Sequence, residues 1–167
     1  MTLRRLAPAD LRAFQAYRGD PDVGRYQGWL PMTDAEAGVF LEHMAAAEPF
    51  APGAWFQLGI ADRDSNVLIG DIGVHVAADG GHAEIGFTLR ASAQGRGLGS
   101  EAVRAVVDLL LDRVKLPRVV AITDARNLPS VRLLERVGMR RVETVSTSFR
   151  GEPCIEHKFA ISRHGGG

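Results

Sequence analysis

Apolar residues recur along the chain with two different periods. A period of two is typical of strands with one buried face, and a period of three to four is typical of amphipathic helices. The pattern predicts seven strands, at 3–5, 55–62, 67–76, 83–89, 118–123, 141–147 and 154–162. It also predicts four helices, at 9–17 and 33–47, after residue 97, and from Asn127 to Val137.

The order of these elements predicts the fold class. Strands 55–62 and 67–76 form a hairpin, and Thr33 with Glu36 forms a capping box at the start of the second helix. Early hairpins followed by a strand-helix-strand unit favour an α/β fold with a mixed, mostly antiparallel sheet of about seven strands flanked by helices. We expect one domain over residues 1–162 and a disordered glycine-rich tail over 163–167.

Composition excludes several classes of function. The 167 residues carry 20 acidic and 20 basic side chains, a net charge of zero, which argues against nucleic acid or an anionic membrane as partner. No run is long and apolar enough for a membrane span or a signal peptide, so we expect a cytoplasmic protein. The single cysteine, Cys154, permits neither an intrachain disulfide nor a zinc pair and is expected in a late strand.

A glycine-rich run lies between strand 83–89 and the next helix, with the sequence Gln94-Gly95-Arg96-Gly97-Leu98-Gly99-Ser100. Glycines at a helix start expose backbone N–H groups at the positive end of the helix dipole, which binds phosphate. The run lacks the lysine of a P-loop, and Ser100 stands where a dinucleotide fingerprint needs its third glycine. Neither nucleotide motif fits, and a plain tight turn remains the alternative.

A second segment with helix signals begins at Asn127, the predicted N-cap, with Pro129 in the first turn and Gly138 as the stop. Gln-x-x-Gly-x-Gly in the first segment and Asn-x-x-Ser-x-x-x-x-Glu-x-x-Gly-Met in the second resemble the coenzyme A segments of the GCN5-related N-acetyltransferases. The resemblance implies acetyl-CoA as co-substrate and no metal. The positions it implies for coenzyme contact are Phe87, Thr88, Leu89, Gln94, Gly95, Arg96, Gly97, Leu98, Gly99, Ser100, Asn127, Ser130 and Leu133.

The resemblance covers residues 2–162 and points to one branch. The opening residues 3–10, the run 20–29 and the strands at 69–73 and 83–87 look like those of the RimJ/RimL-like acetyltransferases. That branch acetylates protein N-termini, antibiotics and small amines, so the resemblance implies a primary amine as acceptor and leaves a homodimer open. A noncatalytic acyl-CoA sensor is the rival outside the enzymes.

Acetyl transfer by direct attack requires a neutral amine, and an amine with a pKa near 10.4 needs a base to take its proton. The resemblance favours Glu84 as that base, with a solvated strand glutamate as the alternative. Asp71 and His75 are the next candidates. The tyrosine that many relatives use to protonate the departing thiolate is replaced here by Leu134, and Ser130, one turn earlier, is a weak substitute.

Four aromatic residues lie in segments where this branch builds its acceptor cleft: Tyr26, Trp29, Trp55 and Phe56. Their flat apolar faces suit the stem of an amine or a peptide end. Adjacent strand residues face opposite sides of a sheet, however, so at least one of Trp55 and Phe56 is also a candidate for the core.

Overall fold

The computed structural model describes residues 1–163, in which seven strands form one sheet in the order β1-β2-β3-β4-β5-β7-β6. Only the β4–β5 pair is parallel. The predicted mixed, mostly antiparallel sheet of about seven strands is confirmed. The strands are β1 (Thr2–Arg5), β2 (Trp55–Ala61), β3 (Leu68–Val76), β4 (Ala83–Leu89), β5 (Arg118–Asp124), β6 (Arg140–Phe149) and β7 (Glu152–Ser162).

Residues 1–163 contain five α-helices: α1 (Leu11–Arg18), α2 (Pro21–Gly24), α3 (Asp34–Ala46), α4 (Leu98–Asp108) and α5 (Leu128–Arg136). The capping box predicted for α3 is present, because Thr33 Oγ1 accepts from Glu36 N at 3.2 Å and Glu36 Oε1 accepts from Thr33 N at 3.1 Å. Helix α2 was not predicted, since four residues are too few for a periodic signal. Asp20 caps it by accepting from Asp22 N at 3.0 Å.

The core lies on both faces of the sheet. On one face the apolar residues of α4 and α5 pack against β3, β4, β5 and β7, for example Val103 and Leu134 with Ile72, Ile85 and Phe159. On the other face α1 and α3 cover only the half of the sheet that contains β1, β2 and β3. Within residues 1–163, neither α1 nor α3 extends over β5, β7 and β6 on that side.

The boundaries of several elements differ slightly from the sequence predictions. The predicted helix 9–17 begins as a 3₁₀ turn at Pro8–Asp10, and the last two strands extend further toward their connecting turn than predicted. In the predicted tail 163–167, Arg163 N donates to Pro117 O at 3.1 Å, and residues 164–167 lie outside the described residues. Among residues 1–163, no helix is long and apolar enough to cross a membrane.

Candidate active site

A large cleft opens where β4 and β5 separate. The two strands pair in parallel only from Ala83 to Ile85 on β4, opposite Val119 to Ala121 on β5, and then diverge. The cleft has a volume of about 1040 Å³ and is lined by residues from β4, the glycine-rich run, the start of α4, β5 and α5. Because the strands diverge, the C-terminal half of β4, from Gly86 to Leu89, has no strand partner on its β5 side.

The glycine-rich run presents backbone groups to this cleft. Gly95 and Gly97 both have φ of +76°, a left-handed conformation that favours glycine, and a Cβ at either position would meet no protein atom within 4 Å. Gly97 is the N-cap of α4 and no side chain caps the helix. The first N–H groups of α4 are therefore free to bind an anion at the positive end of the helix dipole.

The structure separates the seven residues of the run by role. Gln94, Gly95, Gly97, Gly99 and Ser100 line the cleft, whereas Arg96 and Leu98 do not. The Gln94 side chain anchors the run to the end of β4, because Nε2 donates to Leu89 O at 2.9 Å. Gly99 serves packing as well, since a Cβ there would lie 2.9 Å from Leu133 Cδ1.

The second segment lines the opposite wall of the cleft. Asn127 Oδ1 accepts from Ser130 N at 3.4 Å and caps α5, as predicted, while its amide Nδ2 is left as a donor at the cleft. Ser130 and Leu133 line the same wall. Leu134 also reaches the cleft but is 1% exposed, so an aliphatic core side chain occupies the position of the missing tyrosine.

Sequence reasoning missed Arg136 at the end of α5. Its Nε and Nη2 both donate to Ser100 Oγ at 3.2 Å, which brings a guanidinium to the N-terminus of α4 within the lining of the cleft. A cation beside the positive end of a helix is unfavourable unless an anion joins them. No local signal could reveal it, because the contact joins residues 36 positions apart.

Glu84 lies in a row with two other predicted site residues. The strand register pairs Glu84 with His75, and His75 with Trp55. The His75 and Trp55 rings are 5.3 Å apart, and Trp55 is 48% exposed. Of the three, Glu84 lines the cleft, and it lies one residue before the last pair of β4 and β5. His75 stands beside Glu84 rather than in the cleft.

Asp71 is unsuited to be a base, which corrects its place among the candidates. Arg18 Nη2 donates to its buried carboxylate at 2.7 Å, Gln57 Nε2 donates at 3.0 Å, and the Tyr17 hydroxyl also donates to it. Burial, together with the charge of Asp71, raises the pKa of Tyr17 far above its usual value. The carboxylate is therefore held in a structural ion pair beneath α1 and is closed to a substrate proton.

Of the four aromatic candidates, Tyr26 lines the cleft, with its ring 5.1 Å from the Arg25 guanidinium and 5.4 Å from that of Arg126. Trp29 lies behind it and donates from Nε1 to Thr88 Oγ1 at 3.1 Å. Phe56 is a correction: it is 2% exposed and packs against another ring of the core, away from the cleft. The alternation of β2 turns Phe56 inward and Trp55 outward.

Charged groups at the far end of the cleft stabilise one another. Two hydrogen bonds from the Arg126 side chain, at 3.0 and 2.8 Å, hold the pKa of the Asp124 carboxyl below its usual value.

Nearby on β7, burial and the charges of Asp124 and Glu156 raise the pKa of the Cys154 thiol, which disfavours a reactive thiolate. Within residues 1–163, no group of three or more His, Cys, Asp or Glu side chains is arranged to hold a metal ion.

Comparisons with known proteins agree with this geometry. A family model described as "Acetyltransferase (GNAT) domain" matches residues 1–140. The chain is 31% identical over 144 residues to the uncharacterized N-acetyltransferase YnaD of Bacillus subtilis (strain 168), covering 84% of this chain and 79% of that protein.

Solved structures share the whole fold. A GNAT-family acetyltransferase from Bacillus anthracis superposes with a TM-score of 0.85 at 25% identity, over 96% of this chain and 93% of that one. Spermidine N-acetyltransferase from Vibrio cholerae, solved in complex with CoA and spermine, has a TM-score of 0.81 at 18% identity, over 97% and 95%. At 18% identity this second likeness concerns the fold alone.

Proposed function

We propose, from the premise that this chain belongs to the GNAT acetyltransferase family and is an acetyltransferase, that it transfers acetyl from acetyl-CoA to a primary amine. The amine attacks directly in a ternary complex. The observation that carries the proposal is the uncapped start of α4, which faces the split between β4 and β5 across open glycines. Three features there suit a diphosphate: free N–H groups, the helix dipole and the Arg136 guanidinium.

The edge of β4 suits the rest of the coenzyme. The carbonyls of Phe87 and Leu89 accept from Gln27 and Gln94 rather than from β3, so this side of each residue points into the split. The N–H groups of Phe87 and Leu89 point the same way, because both groups of a strand residue lie on one edge. They are donors for the pantetheine amides and for a carbonyl oxygen that gains charge. Asn127, which also lines the cleft, offers its amide Nδ2 as a further donor for the arm.

Acetyl-CoA, when bound, supplies a thioester carbonyl as the electrophile. Glu84 lies one residue before the last pair of β4 and β5, on the same face of β4 as Gly86, whose missing side chain leaves open space. We propose that the Glu84 carboxylate takes the amine proton, directly or through one water, since a carboxylate can act as a general base and Glu84 is the cleft carboxylate that lies on β4 beside the split. His75, which the strand register pairs with Glu84, is the next candidate for the base.

The departing thiolate needs little help. A thiol with a pKa near 8.5 is already a good leaving group near neutral pH, and Leu134 supplies no proton. Ser130, on the cleft wall one turn before Leu134, is the hydroxyl available to hold a water or donate. Positioning by the two coenzyme segments is therefore the larger contribution to the rate.

The proposed class of acceptor follows from the resemblance to the RimJ/RimL-like branch. A RimJ/RimL-like enzyme acetylates a peptide N-terminus, and the rival is a small polyamine or an aminoglycoside. The mixed charges around Tyr26 do not select between them. We also propose that the protein forms a homodimer, which a measurement of its mass in solution tests.

A panel assay tests the function. Acetyl-CoA is incubated with the protein and one of three acceptors, namely a peptide with a free N-terminal serine, spermidine or kanamycin, and free thiol is measured. We expect thiol release well above the rate without acceptor for at least one of them. Acetyl-CoA binding without acceptor-dependent thiol release from a wider amine panel would favour the acyl-CoA sensor, and absence of binding would contradict the coenzyme site.

A further inference from the structure

Residues 24–29, here named the strap, cross the open end of the split sheet. On the β4 side, Gln27 Nε2 donates to Phe87 O at 3.1 Å and Trp29 Nε1 donates to Thr88 Oγ1 at 3.1 Å. These two hydrogen bonds fasten the strap to β4, on one side of the split.

One side chain fastens the strap to the other side of the split. Arg150 lies at the tip of the hairpin formed by β6 and β7, and its Nη2 lies 3.1 Å from the carbonyl oxygens of Gly24 and Gln27 and 3.4 Å from that of Trp29. Converging carbonyl dipoles repel one another, so a cation at their centre stabilises their arrangement. We call this contact the clasp.

The hairpin turn accommodates arginine poorly. Arg150 and Gly151 connect β6 to β7 with φ of +52° and +80°, the pattern of a type I′ turn, in which Asn-Gly is favoured at these two positions. A long side chain in the left-handed region is strained and persists only where its surroundings hold it. The clasp is what holds it here, and this local misfit points to a role beyond the turn.

The clasp fixes one wall of the cleft. Tyr26 and Gln27 of the strap line the cleft, and so does Phe149, whose ring lies 4.8 Å from the Arg150 guanidinium. All three Arg150 hydrogen bonds go to the strap rather than to either coenzyme segment. Loss of the clasp therefore acts on the end of the cleft away from α4.

We infer that Arg150 is a positioning residue for the acceptor amine. By holding the strap across the split, it keeps the aromatic wall in place against which the acceptor lies. The inference rests on the proposed function, because the acceptor end is defined by the coenzyme site at α4.

Arg150→Asn separates the clasp from the turn, since asparagine suits the left-handed position but cannot reach the three carbonyls. We expect amide hydrogen exchange in residues 24–29 to accelerate about ten-fold or more, and KM for the best acceptor of the panel to rise by a similar factor, because a charge-assisted contact is lost. The acetyl-CoA dissociation constant and the melting temperature should stay near wild type. Arg140→Asn, on the same hairpin, is the matched control. Arg150→Lys keeps the positive charge and should therefore retain part of the wild-type exchange protection and acceptor KM.

Exchange in the strap that is equally slow in Arg150→Asn and wild type would overturn the clasp. Faster exchange with an unchanged acceptor KM would overturn the positioning role. If the wild-type protein neither binds acetyl-CoA nor releases thiol with any acceptor, the proposed function and the acceptor role fail together. The exchange measurement still decides the clasp in that case, because it needs no substrate.

Discussion

The two ends of the cleft are built in different ways. At the coenzyme end, short-range hydrogen bonds shape most of the binding surface: Gln94 bonds a residue 5 positions away and Asn127 one 3 positions away, while the contact of Arg136 with Ser100 spans 36. At the acceptor end, the hydrogen bonds from Arg150 to Gly24, Gln27 and Trp29 span 121 to 126 residues. The coenzyme end presents mainly backbone groups, whereas the acceptor end is assembled from side chains.

This difference has a functional consequence. Backbone N–H groups at a helix start bind a phosphate whatever the neighbouring side chains are, so the coenzyme end suits one constant ligand. Side chains brought together from distant segments alter with each substitution, so the acceptor end suits a ligand that differs between related enzymes. Four substitutions test the contrast, from the largest expected effect to the smallest.

Gly97→Glu should lower the affinity for acetyl-CoA by about 100-fold or more. The glutamate side chain would occupy the phosphate position, and its negative charge would repel the phosphate. Calorimetry measures the affinity. Gly53→Glu is the matched control, since Gly53 also has a positive φ of +82° and open space but lies outside the cleft. Equal binding by a folded Gly97→Glu variant would contradict the account of the coenzyme end.

Glu84→Gln should slow the chemical step by about 100-fold while coenzyme affinity persists, because the amide keeps the shape but accepts no proton. The rate should recover in part at high pH, where solvent supplies the neutral amine. Single-turnover rates across pH measure both effects, with Glu143→Gln on the exposed β6 strand as control. A wild-type rate and pH profile would exclude Glu84 and direct attention to His75.

Arg136→Gln should weaken coenzyme A binding by about ten-fold, the effect of losing one charge-assisted contact to phosphate. Pantetheine, which lacks the phosphates, should bind equally well to the variant and to wild type. The difference for coenzyme A should shrink as salt rises. Arg132→Gln, an exposed arginine on the same helix, should change neither affinity, and an equal loss for pantetheine would argue against a phosphate contact.

Asn127→Ala should cost about 1 kcal/mol of unfolding free energy through loss of the α5 cap. If Nδ2 also contacts the pantetheine arm, coenzyme affinity should fall in addition. Thr33→Ala removes the cap of α3, a helix that does not line this cleft, and should lower stability without changing affinity. Unaltered coenzyme affinity in Asn127→Ala would leave Asn127 with the cap alone.

The same local-versus-distant distinction explains what the sequence could predict. The Thr33 capping box, the N-cap at Asn127 and the glycine turn were predictable because each depends on residues within one helical turn. The alternation of β2 predicted that Trp55 and Phe56 diverge, but which of them is buried depends on what covers each face of the sheet.

The features that the sequence did not predict depend on long-range contacts or on residues that are unusual for the local structure they form. The contact of Arg136 with Ser100 arises only when α4 and α5 pack closely, which Gly99 permits. The hairpin of β6 and β7 was predicted too short because Arg150-Gly151 lacks the residues expected at such a turn. Asp71 resembled a free carboxylate in the sequence, and only the packing of α1 onto β3 reveals its ion pair with Arg18.

The central claim is that the split between β4 and β5, together with the start of α4, binds the coenzyme. Titration of the wild-type protein with coenzyme A, followed by ¹H–¹⁵N correlation spectra, tests it most directly. The account predicts that the largest shifts fall on the amides of Gly97, Gly99, Ser100, Phe87 and Leu89, with little change in residues 140–147 of β6. Large shifts confined to other parts of the protein, with these five amides unmoved, would contradict it.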